Sequence, residues 1–432
     1  MEIYEILVLV VSFILLLSVG VPISFSIGIS SLLTMLLSIN TVPSLTTVSQ
    51  RMATGLDSFA LLAIPFFILA GQLMNSGGIA RRLIDFAKVL VGKLPGGLAF
   101  VNILAAMFFG AISGSAVAAA SAIGGFMTPV MEKEGYDKPF SAAVNITSAT
   151  TGLIIPPSNI LIVYSLASGG VSIAALFLAG YIPGIIFGLA LMVVAFVHAK
   201  RRNYKVNLEI SFSEAVKKFF DAIPSLLLIV IVIGGIVAGY FTATEASAIA
   251  VLYAFILSVF IYGEIKVKDL PEILLQSAST TAIVMLLVGT SMAMSWVMAY
   301  ENIPQNVAQA LLALSENKII ILIIINLILL FIGTFMDMTP AVLIFTPIFL
   351  PVVTQLGVNP IHFGIMMVMN LSVGLCTPPV GSVLFVGCSV ADLPITKVIK
   401  PLIPMFIAMI IALLLVTYIP ELSLYVPQFF GY

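Results

Sequence analysis

Long apolar runs, separated by short polar segments, recur along the whole chain. In the first half they cover 3–19, 22–39, 59–77, 97–112, 116–131, 138–168 and 173–199. In the second half they cover 222–240, 245–262, 278–300, a pair around 333–339, 360–390 and 401–420. The stretches 79–93 and 303–316 are amphipathic. About 20 apolar helical residues cross a bilayer, and the alternation of a membrane barrel is absent. We therefore predict an all-α polytopic membrane protein.

Glycine and proline positions indicate that the chain consists of two copies of one structural unit. When 129–157 is set against 351–379, a shift of 222, five of the six Gly and Pro residues in the first window meet an identical residue in the second. Hydrophobic bias can produce matching Leu or Val but does not align Gly and Pro. We predict two repeats, 1–199 and 222–432, joined by a cytoplasmic linker at 200–221 with an amphipathic helix.

The repeats are predicted to have inverted topology. In each half one pair of apolar runs is short for two full crossings, and we interpret it as a re-entrant hairpin. Five crossings then remain per half, and an odd number inverts the second repeat. Scaffold helices would occupy 1–93 and 222–300, and the hairpins with the broken helices would occupy 97–168 and 317–390.

Basic residues support this topology. With the linker in the cytoplasm, 16 of the 18 Lys and Arg residues fall on the cytoplasmic side. The two exceptions are Arg51 and Lys318. We therefore expect a multi-pass protein of the bacterial inner membrane with both termini in the periplasm.

Composition narrows the function classes. The chain is 61% hydrophobic and 9% charged. A soluble domain, by comparison, has roughly a quarter charged residues. A net charge of −1 gives no reason to expect a nucleic-acid partner. No phosphate-loop motif, nucleophile–base pair or metal-ligand spacing is evident, so an ATPase or an intramembrane enzyme is disfavoured. The lipid bilayer is the expected environment, and a secondary transporter is the favoured class.

The candidate binding sites lie at two polar helix breaks and two polar hairpin turns. Adjacent prolines interrupt the predicted helices at 152–158 and 374–381, and the freed carbonyls must meet protein, water or an ion. Such oxygens suit Na⁺, and the N-termini of half-helices suit an anion. A proline kink without a ligand is the competing interpretation.

We predict two Na⁺ sites, one in each half, with a substrate between them. The candidate Na⁺ ligands are Ser113, Gly114, Ser115, Asn145, Ser148, Gly152, Ile155, Gly333, Asp337, Gly374 and Thr377. The candidate substrate-binding residues are Thr147, Ser158, Asn159 and Thr339. Asp337 is the acid of the second hairpin, where it could coordinate Na⁺, hold the turn shut, carry a proton or form a structural hydrogen bond. Some of the polar residues before the breaks would instead make helix–helix contacts.

Five motifs resemble the large membrane subunit of tripartite ATP-independent periplasmic (TRAP) transporters. They are GAISGSAVA at 110–118, GLIIPPS at 152–158, FTATEA at 241–246, TFMDMTPA at 334–341 and TPPVG at 377–381. The resemblance implies an elevator-type transporter that imports organic acids such as C4-dicarboxylates or sialic acid with Na⁺. It also implies a small four-helix membrane subunit and a periplasmic substrate-binding protein as separate partners. One departure is Ala119, where many relatives carry Asp.

Two other interpretations stay open at this stage. A self-sufficient Na⁺/dicarboxylate symporter of similar architecture would transport without a binding protein. A channel would share the membrane helices, but repeat-related ion sites at broken helices favour alternating access.

Overall fold

The computed structural model describes residues 2–202, 204, 211–315 and 317–432, and within these ranges every regular element is a helix. Ten α-helices form the first half: α1 (Glu2–Ser18), α2 (Ile23–Ser38), α3 (Thr41–Leu56), α4 (Ala63–Ser76), α5 (Ile79–Val91), α6 (Gly97–Ser113), α7 (Ala116–Lys133), α8 (Lys138–Ala149), α9 (Asn159–Ala167) and α10 (Ile173–Arg202). A short 3₁₀ turn, Phe59–Leu62, leads into α4, and another, Thr151–Leu153, follows α8.

The second half also contains ten α-helices: α11 (Phe212–Val237), α12 (Ala243–Phe255), α13 (Leu270–Tyr300), α14 (Ile303–Leu314), α15 (Lys318–Gly333), α16 (Met338–Gln355), α17 (Pro360–Gly374), α18 (Ser382–Val390), α19 (Ile395–Tyr418) and α20 (Glu421–Phe429). A π-helical segment, Ile256–Ile261, extends α12, and a 3₁₀ turn, Val267–Asp269, precedes α13. Many bounds follow those of the first half at the shift of 222, and α16 does so at both ends.

Three features differ from the hydrophobic pattern. Helix α3 was not expected, because its sequence is rich in Thr and Ser and contains no long apolar run. Helix α13 begins at Leu270, eight residues before the expected 278, with a proline in its first turn. Part of the linker, 212–221, belongs to α11, so the amphipathic segment and the following span form one helix. Residues 203 and 205–210 of that linker, and residue 316 of the second amphipathic stretch, lie outside the described residues.

Seven helices of the described chain are long and apolar enough to cross a membrane. They are Phe59–Ser76, Ile173–Arg202, Ser213–Val237, Ala243–Ile261, Val267–Tyr300, Met338–Gln355 and Ile395–Tyr418. Five shorter apolar helices accompany them: Tyr4–Ser18, Ile23–Ser38, Gly97–Ser113, Lys318–Gly333 and Pro360–Gly374. The long apolar helices make this a membrane protein with multiple candidate spans, in agreement with the sequence pattern.

The two expected helix interruptions are present. Helix α8 ends at Ala149 and α9 begins at Asn159, with the Pro156–Pro157 pair between them. Helix α17 ends at Gly374 and α18 begins at Ser382, with Pro378–Pro379 between them. Proline lacks the N–H that a helical ladder needs, so paired prolines end the hydrogen-bonded run in both halves.

The first parts of the two broken helices occupy the centre of the molecule. In α8 every residue from 140 to 149 is buried, and in α17 every residue from 362 to 374 is buried. Helix α8 packs against α6, α7 and α19, while α17 packs against α15, α16 and α10. Each broken helix therefore contacts its own hairpin and the last long helix of the other half.

Candidate functional site

A cavity of about 590 Å³ lies where helices of both halves meet. Its walls come from α4 and α13, from the turn between α6 and α7, and from the first residues of α9, α16 and α18. The polar residues that line it are Gln72, Asn75, Ser113, Ser115, Ser121, Asn159, Gln276, Thr280, Asp337, Thr339 and Ser382. The volume is in the range of small-molecule sites, and the walls mix amides and hydroxyls with apolar surface.

Six of the predicted site residues line this cavity. Ser113, Gly114 and Ser115 come from the first hairpin turn, Asn159 from the start of α9, and Asp337 and Thr339 from the start of α16. The structure thus brings both hairpin turns, which lie in different halves of the chain, to one cavity.

The first hairpin turn is built from a left-handed glycine and a serine cap. Gly114 has a φ of 62°. Glycine adopts this conformation without a steric penalty, because it has no Cβ. Ser115 Oγ accepts a hydrogen bond of 3.2 Å from the backbone N–H of Ala118 and so caps α7. A Cβ on Gly114 would lie 2.8 Å from Asn159 Nδ2. The turn therefore lies directly against the second half of the broken helix.

The second hairpin turn presents a carboxylate. Asp337 is the N-cap residue of α16, the position that Ser115 occupies in α7, and its side chain is exposed on the cavity wall. A negative charge at a helix N-terminus interacts favourably with the helix dipole. Thr339 follows two residues later on the same wall. This turn combines a carboxyl group with a hydroxyl.

Glycine pairs join each hairpin to the break in its own half. A Cβ on Gly152 would lie 2.4 Å from Gly110 Cα, and a Cβ on Gly374 would lie 2.5 Å from Gly333 Cα. The neighbouring atoms are backbone atoms in both cases, so the two chains touch without intervening side chains. Backbone groups of hairpin and break thereby come close together in both halves.

Asn145 and Ser148 lie in the buried body of the protein and do not line the cavity. Asn145 Nδ2 donates 2.8 Å to the Ala120 carbonyl, which ties α8 to the hairpin. Asn145 Oδ1 is buried and has no hydrogen-bond partner among the described residues. Ser148 Oγ donates 3.2 Å to Asn102 Oδ1. One buried acceptor on α8 therefore remains available to a cation.

Four further predicted residues have local protein contacts. Thr147 Oγ1 donates 2.8 Å to the Ala143 carbonyl, and Ser158 Oγ donates to the Leu153 carbonyl. Thr377 Oγ1 donates 2.8 Å to the Val373 carbonyl. Ile155 faces α10, because a Cβ on Gly184 would meet its side chain at 2.4 Å. None of these four residues is on the cavity wall, although Ser158 directly precedes Asn159, which is.

Two long helices also contribute to the cavity, which the hydrophobic pattern did not predict. Gln72 and Asn75 come from α4, while Gln276 and Thr280 come from α13. Two amides close together in an apolar helix were the available signal for α4. On α13 the signal was hidden, because Gln276 precedes the stretch that the hydrophobic pattern assigned to the helix. Ser121 and Ser382 were also missed.

Comparison with known proteins identifies the family. Residues 10–422 match the family described as tripartite ATP-independent periplasmic transporter, DctM component. Protein YgiK of Salmonella typhimurium is 58% identical over 99% of this chain and 98% of its own length. The C4-dicarboxylate TRAP transporter large permease protein of Rhodobacter capsulatus is 39% identical over 95% of this chain and 96% of its own.

Two further proteins are similar to this chain. The sialic acid TRAP transporter large permease protein of Vibrio cholerae is 39% identical over 96% of this chain and 97% of its own length. Among solved structures, the Alcanivorax borkumensis YdaH transporter superposes with a TM-score of 0.67 over 88% of this chain and 89% of that chain, at 13% sequence identity. That likeness concerns the fold alone. By its sequence from end to end, this chain belongs to the DctM-component family of TRAP transporters, the large permease subunits.

Proposed function

We propose that this chain is the transmembrane subunit of a Na⁺-coupled secondary transporter that imports a small organic acid. The observation that carries the proposal is the convergence of both hairpin turns and the starts of α9 and α18 on one cavity. Turns and broken helices supply carbonyls and hydroxyls for a cation and helix N-termini for a carboxylate. The permease relatives point to dicarboxylates or sialic-acid-like compounds as the substrate class.

Two protein partners follow from the tripartite family. A small four-helix membrane subunit would be a separate chain, and a periplasmic binding protein would deliver the substrate. The role of the described chain is that of a transporter and not of an enzyme.

Reciprocal packing supports two inverted repeats. Helix α7 packs on α18 and its counterpart α16 packs on α9; likewise α4 packs on α12 and its counterpart α13 packs on α2. A two-fold relation between the halves produces such exchanged pairs. With five crossings and one hairpin per half, that axis lies in the membrane plane.

The re-entrant form of the hairpins rests on where their turns lie. Helix α16 has 18 residues. At about 1.5 Å per residue such a helix extends about 27 Å, so length alone would allow a crossing. Its first residues, Asp337 to Thr339, line the internal cavity together with the turn of the first hairpin. A crossing helix would begin at a membrane face, whereas this helix begins inside the protein.

Contacts between distant segments support a cytoplasmic face rich in basic residues. Arg82 on α5 pairs with Glu264 after α12 at 3.6 Å, and Lys218 on α11 pairs with Asp85 at 3.7 Å. Segments that the charge pattern assigns to the cytoplasm are thus neighbours in space. With that face inside, both termini are periplasmic.

The cavity opens toward the same face. Its walls include Asn75 near the end of α4 and Gln276 near the start of α13, both close to cytoplasmic ends in this topology. The first hairpin contributes residues 113–118, 121 and 122, running from the turn toward the cytoplasm, whereas the second contributes only 337–339. We therefore assign an inward-facing arrangement.

Two Na⁺ sites fit the residues at the glycine contacts. The first would use the Ser113 turn, the backbone near Gly152 and Asn145 Oδ1, which lacks a partner among the described residues. The second would use the Gly333 and Gly374 backbones and Asp337. Oxygen donors of this kind suit a hard monovalent cation. Bound Na⁺ would supply positive charge near Asp337 and a substrate carboxylate.

In an elevator mechanism one group of helices would move across the membrane while another group stays fixed. Hairpins and broken helices, α6–α9 and α15–α18, pack on one another and would move as one unit. The long helices α4 and α13 would stay with the scaffold and present successive surfaces to the moving cavity. A self-sufficient symporter remains the second candidate, because the cavity does not require a binding protein.

Reconstitution tests the proposal. Proteoliposomes containing this chain and its small membrane subunit are given a Na⁺ gradient, a labelled acid and the binding protein. We expect uptake only when Na⁺ and the binding protein are both present. If replacing Na⁺ by choline left the rate of uptake unchanged, Na⁺ coupling would be contradicted. Na⁺-driven uptake without the binding protein would favour the self-sufficient symporter.

A further inference from the structure

An apolar groove of about 330 Å³ lies outside the central cavity, between α4, α12 and the start of α13. Every described residue that lines this groove is apolar. Leu73 and Ile273 are buried, whereas Leu252 on α12 is 61% exposed and Leu274 on α13 is 53% exposed. Buried side chains therefore form the base of the groove and exposed ones its rim, so the groove opens at the protein surface.

The surface around the groove faces lipid. All three helices belong to segments that are long and apolar enough to cross a membrane. A concave gap between such helices loses dispersion contacts unless another molecule fills it. A lipid acyl chain is apolar and flexible, so it can follow an irregular groove of this kind. Acyl chains alone, however, do not distinguish one lipid from another, and selectivity must come from the polar end of the groove.

One end of the groove lies at the cytoplasmic side in the proposed topology. Leu73 is three residues before the end of α4, and Leu270, the first residue of α13, also lines the groove. The 3₁₀ turn Val267–Asp269 leads directly into Leu270. This turn is therefore at the depth of the lipid headgroups.

Two free lysines lie at this end of the groove. Lys266 precedes the turn and Lys268 is within it, and both are exposed. Neither lysine takes part in an ion pair within the described part of the chain. The cytoplasmic leaflet contains anionic lipids, which attract basic residues next to a membrane span. An anionic headgroup would therefore find two unpaired ammonium groups beside the apolar groove.

The acidic residues of this segment are occupied elsewhere. Asp269 accepts a hydrogen bond of 3.0 Å from the backbone N–H of Lys266 and so holds the turn itself. Glu264 pairs with Arg82. Glu272 accepts a hydrogen bond of 3.3 Å from Gln276, whose side chain lines the central cavity and not the groove. None of the three carboxylates pairs with a lysine of the turn.

We propose that this groove binds an anionic glycerophospholipid of the cytoplasmic leaflet. One acyl chain would lie along α4 and α12, and the phosphate would contact Lys266 and Lys268. Such a lipid would touch α4 and α13, the two helices whose other faces line the central cavity. The site requires the cytoplasmic position of the turn before α13, but neither Na⁺ coupling nor a particular transported substrate.

Thermal unfolding of the purified full chain in a neutral detergent tests the headgroup contact. The probes are dioleoyl-phosphatidylglycerol and dioleoyl-phosphatidylcholine, which have the same acyl chains and differ in headgroup charge. We expect phosphatidylglycerol to raise the unfolding temperature more than phosphatidylcholine does. In Lys266→Gln/Lys268→Gln the phosphatidylglycerol concentration for half-maximal stabilisation should rise about tenfold or more. Lys397→Gln/Lys400→Gln removes the same charge from exposed positions of α19 outside the groove and should respond as the unaltered chain does.

A second pair of variants tests the groove. Ala248 lines the groove and is exposed, so Ala248→Trp places an indole ring where the acyl chain would lie. This variant should lose most of the stabilisation by both lipids. Val230→Trp, at an exposed position of α11 outside the groove, is the matched control and should keep it. Each variant is checked for a cooperative unfolding transition without added lipid.

Three results would overturn the proposal. Equal stabilisation of the unaltered chain by the two lipids, or a Lys266/Lys268 variant that behaves like its control, would exclude an anionic headgroup site. A response of Ala248→Trp equal to that of Val230→Trp would exclude the groove. Loss of the phosphatidylglycerol effect when the small membrane subunit is added would assign the groove to that partner instead. Each of these results would leave Na⁺-driven uptake, the test of the proposed function, unaffected.

Discussion

Alanine at Gly374 tests whether the contact between hairpin and break controls Na⁺ binding. The added Cβ would lie 2.5 Å from Gly333 Cα, 2.6 Å from its carbonyl carbon and 2.9 Å from its oxygen. Carbon atoms attract best at about 3.5–4.0 Å, so the two backbones must separate by about 1 Å. The backbone at Gly374 is not left-handed, so the effect would come from the contact and not from the conformation of the residue.

We expect two measurable consequences. Overpacking of this kind typically costs about 1–3 kcal/mol, so the free energy of unfolding in detergent should fall by that amount. Ion ligands displaced by about 1 Å lose their geometry, so the Na⁺ concentration for half-maximal uptake should rise by about tenfold or more. Gly152→Ala, whose Cβ would lie 2.4 Å from Gly110 Cα, should act in the same way on the first site.

Gly125→Ala is the matched control. Gly125 lies in α7 of the first hairpin, is exposed, and has nothing within 4 Å of an added Cβ. Alanine there should be neutral or stabilise by about 0.5–1 kcal/mol, because alanine favours helix over glycine. If Gly374→Ala matched Gly125→Ala in both unfolding and Na⁺ dependence, the proposed role of the glycine contacts would be refuted.

Three other experiments extend these tests. Asp337→Ala should abolish or strongly weaken Na⁺-driven uptake while the protein stays folded in the membrane; normal uptake with unchanged Na⁺ dependence would remove Asp337 from the mechanism. Thr377→Val deletes a hydroxyl that donates to the Val373 carbonyl and should raise the Na⁺ requirement of uptake more than it alters docking of the binding protein; an unaltered requirement would argue against Thr377 as a ligand. A cysteine at Lys200 should be labelled only from the cytoplasm and one at Gly431 only from the periplasm; labelling of both from one side would end the inverted-repeat proposal.

The sequence by itself determined the membrane class and the helix interruptions, and it predicts two repeats. Apolar runs of span length leave no alternative to helices in lipid, because every backbone group must be satisfied within the segment. Paired prolines stop a helix wherever they occur, so the breaks near Gly152 and Gly374 were readable without coordinates. Gly and Pro are too infrequent to align by hydrophobic bias, which is why their matching positions predict a repeat.

Only the tertiary structure decided which of the polar residues face one cavity. Asn145 and Asn159 look equivalent in sequence, yet Asn145 bonds to a hairpin carbonyl while Asn159 lies on the cavity wall. The positions of Gln72 and Gln276 on the cavity wall depend on how helices from different halves pack together. Helical period and composition specify local faces, but which faces meet across the two halves depends on long-range packing. That is the physical reason why the elements could be predicted and the shape of the site could not.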